Sequence, residues 1–169
     1  MMKRPVQIES LQPDQDAKLI KEWLYTYLHQ HIQWWSHAAK LAWSSEYIER
    51  HIQKQGLVER DWEEICKADV DPMGFVTTAR QQDQVVGIAY GTLGQDRYLK
   101  LPTGSISWVY VSEKVRGKGV AQSLLRPIHD WMYDRGVMLR EVHVTEANPS
   151  AVHLYKACGY RIVDHRMLS

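Results

Sequence analysis

Cysteine is scarce in this chain of 169 residues, which contains only Cys66 and Cys158. Two distant cysteines exclude a disulfide-stapled scaffold, and neither has the short spacing to other ligands that marks a zinc site. We therefore expect two reduced, partly buried thiols and no bound metal.

Long apolar runs and a surplus of charge are missing as well. No stretch approaches the roughly 18 consecutive apolar residues of a membrane helix, and the opening MMKRPVQIES becomes polar without the apolar core of a signal peptide. A formal net charge of +1 gives no overall field that attracts DNA, RNA or anionic lipid. We expect a cytoplasmic protein that binds neither nucleic acid nor membranes and whose partners are small or locally recognised.

The amino-acid composition is typical of a globular domain. Hydrophobic residues make up 44% of the chain and charged residues 24%, which excludes disordered and fibrous classes. The chain has no internal repeat, low-complexity tract or long linker, so we expect one domain over residues 1–169.

Helical spacing dominates the first half of the chain. The predicted elements there are a strand at Pro5 to Leu11, a helix starting at Pro13, Asp14 and Asp16 with its buried face at Ile20, Trp23, Leu24, Tyr27 and Leu28, a helix capped by Ser44 or Ser45 and running to Gln55, and a short helix at Arg60 to Ala68.

Strand patterns dominate the second half, and together the two halves predict a mixed α/β sheet flanked by helices. The predicted elements are a hairpin of Phe75 to Arg80 and Val85 to Leu93, a strand at Ser105 to Ser112, a helix kinked at Pro127 and closed by Gly136, a strand at Glu141 to Thr145, a helix from Asn148 to Gly159 and a last strand at Tyr160 to Met167.

The turn between the third of these strands and its helix contains Gly117 and Gly119. Two glycines let the backbone approach a bulky anion, and free N–H groups at a helix start hold phosphate oxygens. The turn is neither a P-loop nor a dinucleotide fingerprint, since the Gly-Lys-Ser/Thr and the third glycine are absent. It therefore indicates a pyrophosphate site; a basic surface turn with helix-capping glycines is the alternative.

This turn belongs to a longer pattern that resembles a known family. Val111, the pattern R-x-x-G-x-A at Arg116 to Ala121, and Asn148 followed by LYKACGY resemble the GNAT superfamily of acyl-CoA-dependent N-acyltransferases. The resemblance covers Ser105 to Met167 and implies a GNAT-like fold, whose central, mostly antiparallel sheet splays at the cofactor site, and acetyl-CoA as co-substrate without a metal. The implied cofactor-binding residues are Val109, Val111, Arg116, Gly117, Lys118, Gly119, Val120, Ala121, Asn148 and Tyr155.

The sequence departs from the family pattern in places. Glu113 stands where the family often has proline, Val115 where it often has an aromatic residue, and Pro127 interrupts the long helix. The family also commonly has two strands after the last helix. A seventh strand is therefore either missing or supplied by a partner chain, as in a homodimer.

Acetyl transfer to an amine requires a neutral amine, an oxyanion donor and a proton for the departing thiolate. The resemblance implies the backbone N–H of Val111 as the oxyanion donor and Tyr155 as the general acid. For Tyr155 the alternative is a core aromatic residue on the last helix. Asn148 also has a structural role available, because it can cap that helix ahead of Pro149.

The base is harder to identify, since Ile106 to Ser112 contains no carboxylate. His143 alternates with Val142 and Val144, so we expect it to face away from the apolar side of its strand, on the same face as Glu141. We consider His143 as the base; a solvated or structurally bonded histidine is the alternative.

The segment HQHIQWWSHAAKLAW after the first helical stripe is rich in aromatic residues. Adjacent Trp34 and Trp35 cannot both face one helix stripe, so at least one of them is a candidate wall of the acceptor pocket; a packed aromatic cluster is the alternative. His29 and His31 point apart on a helix, which disfavours a metal site.

These observations favour a single N-acetyltransferase domain. It would move an acetyl group from acetyl-CoA to a primary amine of a small molecule or peptide, by direct attack through a tetrahedral intermediate. The sequence leaves an amino acid, a polyamine, an aminoglycoside and a protein terminus open as acceptors. The alternative from another class is a non-catalytic acyl-CoA-binding or sensing module of the same fold.

Overall fold

The computed structural model describes residues 5–164 and 166–168, which form a five-stranded sheet with helices on both faces. The elements are β1 (Gln7–Glu9), α1 (Pro13–Ala38), α2 (Ser45–Lys54), α3 (Leu57–Val70), β2 (Gly74–Gln81), β3 (Gln84–Gln95), β4 (Pro102–Val111), α4 (Val120–Asp134), β5 (Leu139–Val142) and α5 (Pro149–Ala157), with a 3-10 turn at Glu113–Val115 before α4.

The sheet is mostly antiparallel, as predicted. Its strands lie in the order β1-β2-β3-β4-β5, and only β4 and β5 run parallel. The predicted hairpin is confirmed: β2 and β3 are joined by Gln82 and Asp83, both with positive φ, as a tight two-residue hairpin turn requires.

Strand β4 contains a bulge at Ser107. Tyr90 of β3 pairs with Trp108, whereas the next residue, Gly91, pairs with Ile106, so Ser107 has no partner on β3. An unpaired extra residue reverses the alternation of side chains beyond it. Ile106 therefore packs on the face covered by α4, but Trp108 packs on the opposite face.

The sheet opens at the same point. Strand β5 pairs with β4 only from Thr103 to Ile106, and β5 ends at Val142, the partner of Ile106. In the described part of the chain no strand pairs with the edge of β4 beyond Ile106. The expected splay is thus formed by the last five residues of β4, numbers 107–111.

Helices α1 and α3 cover one face of the sheet, in agreement with the predicted stripe of α1. Ile20 and Leu24 are buried against Ile65 of α3 and Ile88 of β3. Ser44 caps α2 by accepting a hydrogen bond from the Tyr47 backbone N–H, as its sequence position predicts.

A buried ion pair joins α1 to β2. Arg80 Nη1 donates to Asp16 Oδ1 at 3.0 Å, and both side chains are at least 95% buried. The other oxygen of Asp16 accepts the Gln12 backbone N–H at 2.9 Å, at the start of α1. Glu9 lies 3.2 Å from Arg80 Nε, so the guanidinium holds β1, β2 and α1 together.

Helix α4 covers the other face and lies unusually close to the sheet. A Cβ atom at Gly104 of β4 would lie 2.6 Å from Met132 Sδ, and one at Gly91 would lie 3.1 Å from Ile128 Cγ2. Helix α4 continues through Pro127 as one element. The Thr77 hydroxyl of β2 donates to the Leu124 carbonyl of α4 at 3.1 Å and attaches the helix to the sheet.

One predicted strand has the wrong bounds, and another is not formed by the described residues. β5 begins and ends earlier than the predicted Glu141 to Thr145, because β4 bulges after Ile106 and offers no ladder to later residues. The last strand, Tyr160 to Met167, is absent from residues 160–164 and 166–168, and His165 lies outside the described residues. Tyr160 turns back instead: its N–H donates to the Tyr155 carbonyl at 3.0 Å, and its hydroxyl bonds His129 of α4.

Two further expectations concern cysteines and membranes. Cys66 and Cys158 are free and half-buried, as predicted, and burial raises the pKa of both thiols. No helix within residues 5–164 and 166–168 is both long and apolar enough to cross a bilayer.

The buried ion pair generates a prediction about stability. Asp16→Asn leaves the Arg80 guanidinium buried without its main counter-charge, so we expect a loss of about 3–5 kcal/mol in the free energy of unfolding. Urea denaturation measures this loss. Glu59→Gln is the control, because it removes a more exposed ion pair with Lys21 and should cost at most about 1 kcal/mol. Equal losses in the two variants would contradict the importance of burial here.

Candidate functional site

The turn at Arg116–Ala121 presents a free helix start. Gly117 and Gly119 have φ of 74° and 75°, a left-handed conformation that glycine adopts without strain. Within residues 5–164 and 166–168 no side chain caps α4, and the first turn of the helix contains no acidic residue. The backbone N–H groups and the positive end of the helix dipole therefore remain available to an anion.

The basic side chains of this turn contact the backbone nearby. Arg116 Nε donates to the Val111 carbonyl at 2.9 Å, and its guanidinium lies 5.6 Å from the centre of the Tyr110 ring. Lys118 Nζ donates to the Lys114 carbonyl at 3.0 Å. Arg116 thus connects the glycine turn directly to the end of β4.

The backbone of Val111 points toward the open edge of β4. Ser112 N–H donates to the Val86 carbonyl at 2.8 Å, and bonded pairs alternate with non-bonded pairs along an antiparallel ladder. Val111, opposite Gly87, is therefore in a non-bonded pair, and so is Val109. Their N–H groups point away from β3, and both side chains pack on the α4 face.

Tyr155 lies in the core of that same face. Its side chain is 7% exposed and makes an edge contact with Tyr160, the ring centres being 5.6 Å apart. Burial raises the pKa of its phenol, with smaller contributions from Tyr160, Tyr27 and Cys158, so the phenol keeps its proton at neutral pH. In the described part of the chain its hydroxyl makes no hydrogen bond.

The structure places His143 and Asn148 outside regular strands. His143 is exposed and directly follows β5, so the predicted strand alternation does not apply to it; Glu141, on β5, is also exposed. Asn148 caps α5, its Oδ1 accepting the Ala151 N–H at 3.1 Å, which confirms the structural role predicted for it.

A cavity of about 210 Å³ lies on the opposite face of the sheet, between α1, α3 and the bulge of β4. Its walls are aromatic and aliphatic near the sheet and charged at α3. The lining residues are Leu24, Tyr27, Arg60, Asp61, Glu64, Ile65, Tyr90, Ser107 and Trp108.

The charged wall of this cavity is anionic overall. Arg60 Nε and Nη2 both donate to Asp61 Oδ1, at 3.0 and 2.8 Å, while Glu64 adds a second carboxylate. Burial raises the pKa of Tyr90 to about 12, and the charges of Glu64 and Asp61 contribute to the increase.

Tyr27 lines the cavity beside the bulge of β4. Burial, followed by the charge of Asp61, raises the pKa of its phenol. Its ring packs on that of Trp108, with the ring centres 5.8 Å apart. Tyr27 therefore joins α1 to the first residue beyond the bulge.

Trp34 and Trp35 do not line the cavity. Trp35 is connected to it indirectly: its Nε1 donates to His31 at 3.0 Å, and His31 stacks on Tyr27. Trp34 makes an edge contact with Trp35, and the Arg166 guanidinium lies 4.6 Å from the centre of the Trp35 ring. Within the described residues, no three His, Cys, Asp or Glu side chains are grouped so that they could hold a metal.

The sequence analysis missed Asp61, Glu64 and Tyr90. Asp61 and Glu64 are one helical turn apart on α3, next to the buried Ile65, so they lie at the border between the buried and the exposed face of that helix. No spacing along the chain relates that edge to β4, so only the tertiary structure brings these carboxylates to the bulge.

Comparisons with known proteins agree on one fold. The sequence model of the Acetyltransferase (GNAT) family matches residues 21–160. A PaiA N-acetyltransferase from Thermoplasma acidophilum in complex with coenzyme A is 16% identical, with 96% of this chain and 94% of that chain covered and a TM-score of 0.71.

Glucosamine-6-phosphate N-acetyltransferase from Arabidopsis thaliana is 14% identical, with 98% of each chain covered and a TM-score of 0.62. Ribosomal-protein-alanine N-acetyltransferase from Brucella melitensis is 18% identical, with the same coverage and TM-score. No curated protein sequence matches the chain. At these identities the structural similarities show the fold alone.

Proposed function

Because this chain belongs to the acetyltransferase (GNAT) family, we propose that it transfers the acetyl group of acetyl-CoA to a primary amine of a small molecule or peptide. The observation that carries the proposal is the uncapped start of α4 beside the open edge of β4. The start of α4 is suited to the pyrophosphate of acetyl-CoA. The open edge of β4 is suited to the pantetheine arm, which carries amide groups.

In this proposal acetyl-CoA lies along the α4 face. The N–H groups of Gly117, Gly119 and Ala121 bind the pyrophosphate, with Val120 at the helix start and Arg116 and Lys118 supplying positive charge. The pantetheine arm runs beside Val109 and Val111. Asn148 contacts the cofactor while it caps α5. The Thermoplasma acidophilum relative, a structure in complex with coenzyme A, supports this choice of co-substrate.

The transfer balances without any further reactant. The neutral amine attacks the thioester carbonyl, and the Val111 N–H stabilises the oxyanion of the tetrahedral intermediate. The new C–N bond replaces the C–S bond, the nitrogen loses a proton, and the thiolate gains one. We assign the donation to Tyr155, whose burial keeps it protonated. His143, exposed just after β5, is our candidate to accept the amine proton through water.

A non-catalytic acyl-CoA-binding module is not favoured. Such a module needs only the turn and the strand edge, whereas this chain also has a cavity on the other side of the splay and a buried phenol on the α4 face. A site for a second substrate and a proton donor are requirements of transfer.

Gly119→Val tests the cofactor assignment. Valine is strained at a φ of 75°, and its side chain obstructs the approach of a pyrophosphate. We expect the affinity for acetyl-CoA, measured by calorimetric titration, to fall at least about tenfold, since phosphate hydrogen bonds are charge-assisted. Thiol release from acetyl-CoA with a panel of amines should fall with it.

Gly136→Val is the matched control. Gly136 has a φ of 72° and closes the opposite end of α4, and a Cβ atom added to it would meet no other atom within 4 Å. The two variants should lose similar stability, but Gly136→Val should keep its affinity for acetyl-CoA. Equal affinities in the two folded variants would remove the pyrophosphate from the turn.

Tyr155→Phe tests the general acid. The variant keeps the ring and its packing, so loss of the proton donor should lower kcat by about 10² to 10⁴ with little change in acetyl-CoA affinity. Because the pKa of Tyr155 is raised, wild-type kcat should not decline from ionisation of this phenol between neutral pH and about pH 10, its ordinary pKa. Profiles of kcat against pH, with saturating donor, check both statements. A Phe variant with normal kcat would leave thiolate protonation to water.

Trp35→Ala and Trp34→Ala test whether the tryptophan pair affects the acceptor site. Trp35 supports Tyr27 through His31, so its loss should raise the KM for the acceptor several-fold more than the KM for acetyl-CoA. Trp34 contacts Trp35 but, in the described contacts, neither His31 nor Tyr27, so it serves as the control. If both variants change only the melting temperature, the two tryptophans are a packed cluster.

A further inference from the structure

We infer that the cavity between α1, α3 and the β4 bulge takes an acceptor amine that carries a second positive charge, such as a diamine, and disfavours acceptors with a carboxylate or phosphate. This inference rests on the proposed function and narrows its acceptor class. It depends on the composition of the cavity wall and on the position of the cavity beside the open edge of β4.

The charges of the wall select a cation. Glu64 and Asp61 contribute two carboxylates, and Arg60 offsets only one of them. Both contacting nitrogens of Arg60 bind the same oxygen, Asp61 Oδ1, so Oδ2 is left for a ligand. The Asp61 side chain is only 18% exposed, which strengthens its attraction for an ammonium group and its repulsion of an anion.

The uncharged walls of the cavity suit the alkyl chain that joins the two nitrogens of a diamine. Tyr27, Tyr90 and Trp108 present aromatic rings, whose faces attract cations. Leu24 and Ile65 give an apolar surface on which an alkyl chain can lie. An acceptor with a short alkyl chain between two nitrogens matches both parts of the wall.

The position of the cavity gives the two nitrogens of such an acceptor different surroundings. The carboxylates lie on α3, whereas Ser107 and Trp108 form the side next to the open edge of β4. Tyr27 packs on Trp108, with the ring centres 5.8 Å apart, so the cavity reaches the first residue beyond the bulge. An amine bound with one ammonium at Glu64 and Asp61 can therefore extend its other nitrogen toward the splay.

The chemistry remains that of a single transfer. The nitrogen at the splay is neutral, forms the C–N bond as the C–S bond breaks, and loses one proton, while the thiolate gains one. The nitrogen at α3 keeps its charge throughout and acts only in binding.

Three acceptors of equal chain length provide the test: diaminobutane, butylamine and aminobutyrate. Each has the same reacting amine, and the far end is a cation, a methyl group or an anion. We expect kcat/KM, measured by thiol release from acetyl-CoA, to decrease in that order, with diaminobutane about tenfold or more above butylamine, as expected for a charge-assisted hydrogen bond.

Glu64→Gln should reduce the preference for diaminobutane over butylamine, and Glu64→Lys should improve aminobutyrate relative to diaminobutane. The matched control is Glu63→Gln, which removes the same charge from the neighbouring exposed position of α3 that does not line the cavity. It should leave the preference unchanged. Raising the salt concentration should reduce the wild-type preference for diaminobutane over butylamine, because salt screens the charge of the exposed Glu64.

The outcomes separate the two levels of the proposal. If acetyl-CoA binds but no amine of a broad panel supports thiol release, the proposed function fails and the acceptor class fails with it. If amines are acetylated without preference for a second charge, or if Glu64→Gln and Glu63→Gln give the same preference, the acceptor class alone is wrong. Retention of the diamine preference in Glu64→Lys would also overturn it.

Discussion

The bulge at Ser107 is the constraint on which the rest of the site depends. Because one extra residue reverses the alternation of β4, Trp108 faces the layer of α1 and α3, while Val109 and Val111 face α4. Without the bulge these faces would be exchanged, and the cavity would lose the Trp108 ring from its aromatic wall. β5 also ends its pairing at Ile106, one residue before the bulge, so a single irregularity both opens the sheet and distributes side chains to the two sides.

The two sides of the opening have complementary chemistry. The α4 face offers backbone N–H groups and a helix start, which suit an anionic, amide-containing molecule. The α1 and α3 face offers carboxylates and aromatic rings, which suit a cation. Trp108 and Val109, consecutive residues of β4, face the two sides, so the opening is where molecules bound on the two sides would meet. The Asp16 and Arg80 ion pair fixes α1 to β2 and thereby holds one of these two walls in place.

Features with a local cause were predictable from the sequence. The stripe on α1, the Ser44 cap, the hairpin and the glycine turn each depend on residues a few positions apart. The failures have non-local causes: β5 stops at Val142 because its partner strand bulges, and Tyr160 packs on α4 and α5 although its segment has the composition of a strand. Asp61 and Glu64 were missed for the same reason, since their neighbours at the bulge lie far away in sequence. The glycine turn is local, whereas the cavity is assembled from four separate segments, in α1, α3, β3 and β4.

Helix α4 lies close to the sheet because two glycines face it. Its C-terminal half rests on Gly104 and Gly91, where there is no room for a methyl group without displacing Met132 or Ile128. A larger residue at either glycine would have to displace these side chains or raise this end of the helix from the sheet. The Thr77 hydrogen bond at Leu124 attaches the helix to β2 nearer its start. Two glycines that lie far from the turn at Gly119 therefore decide how large the side chains of α4 that face the sheet can be.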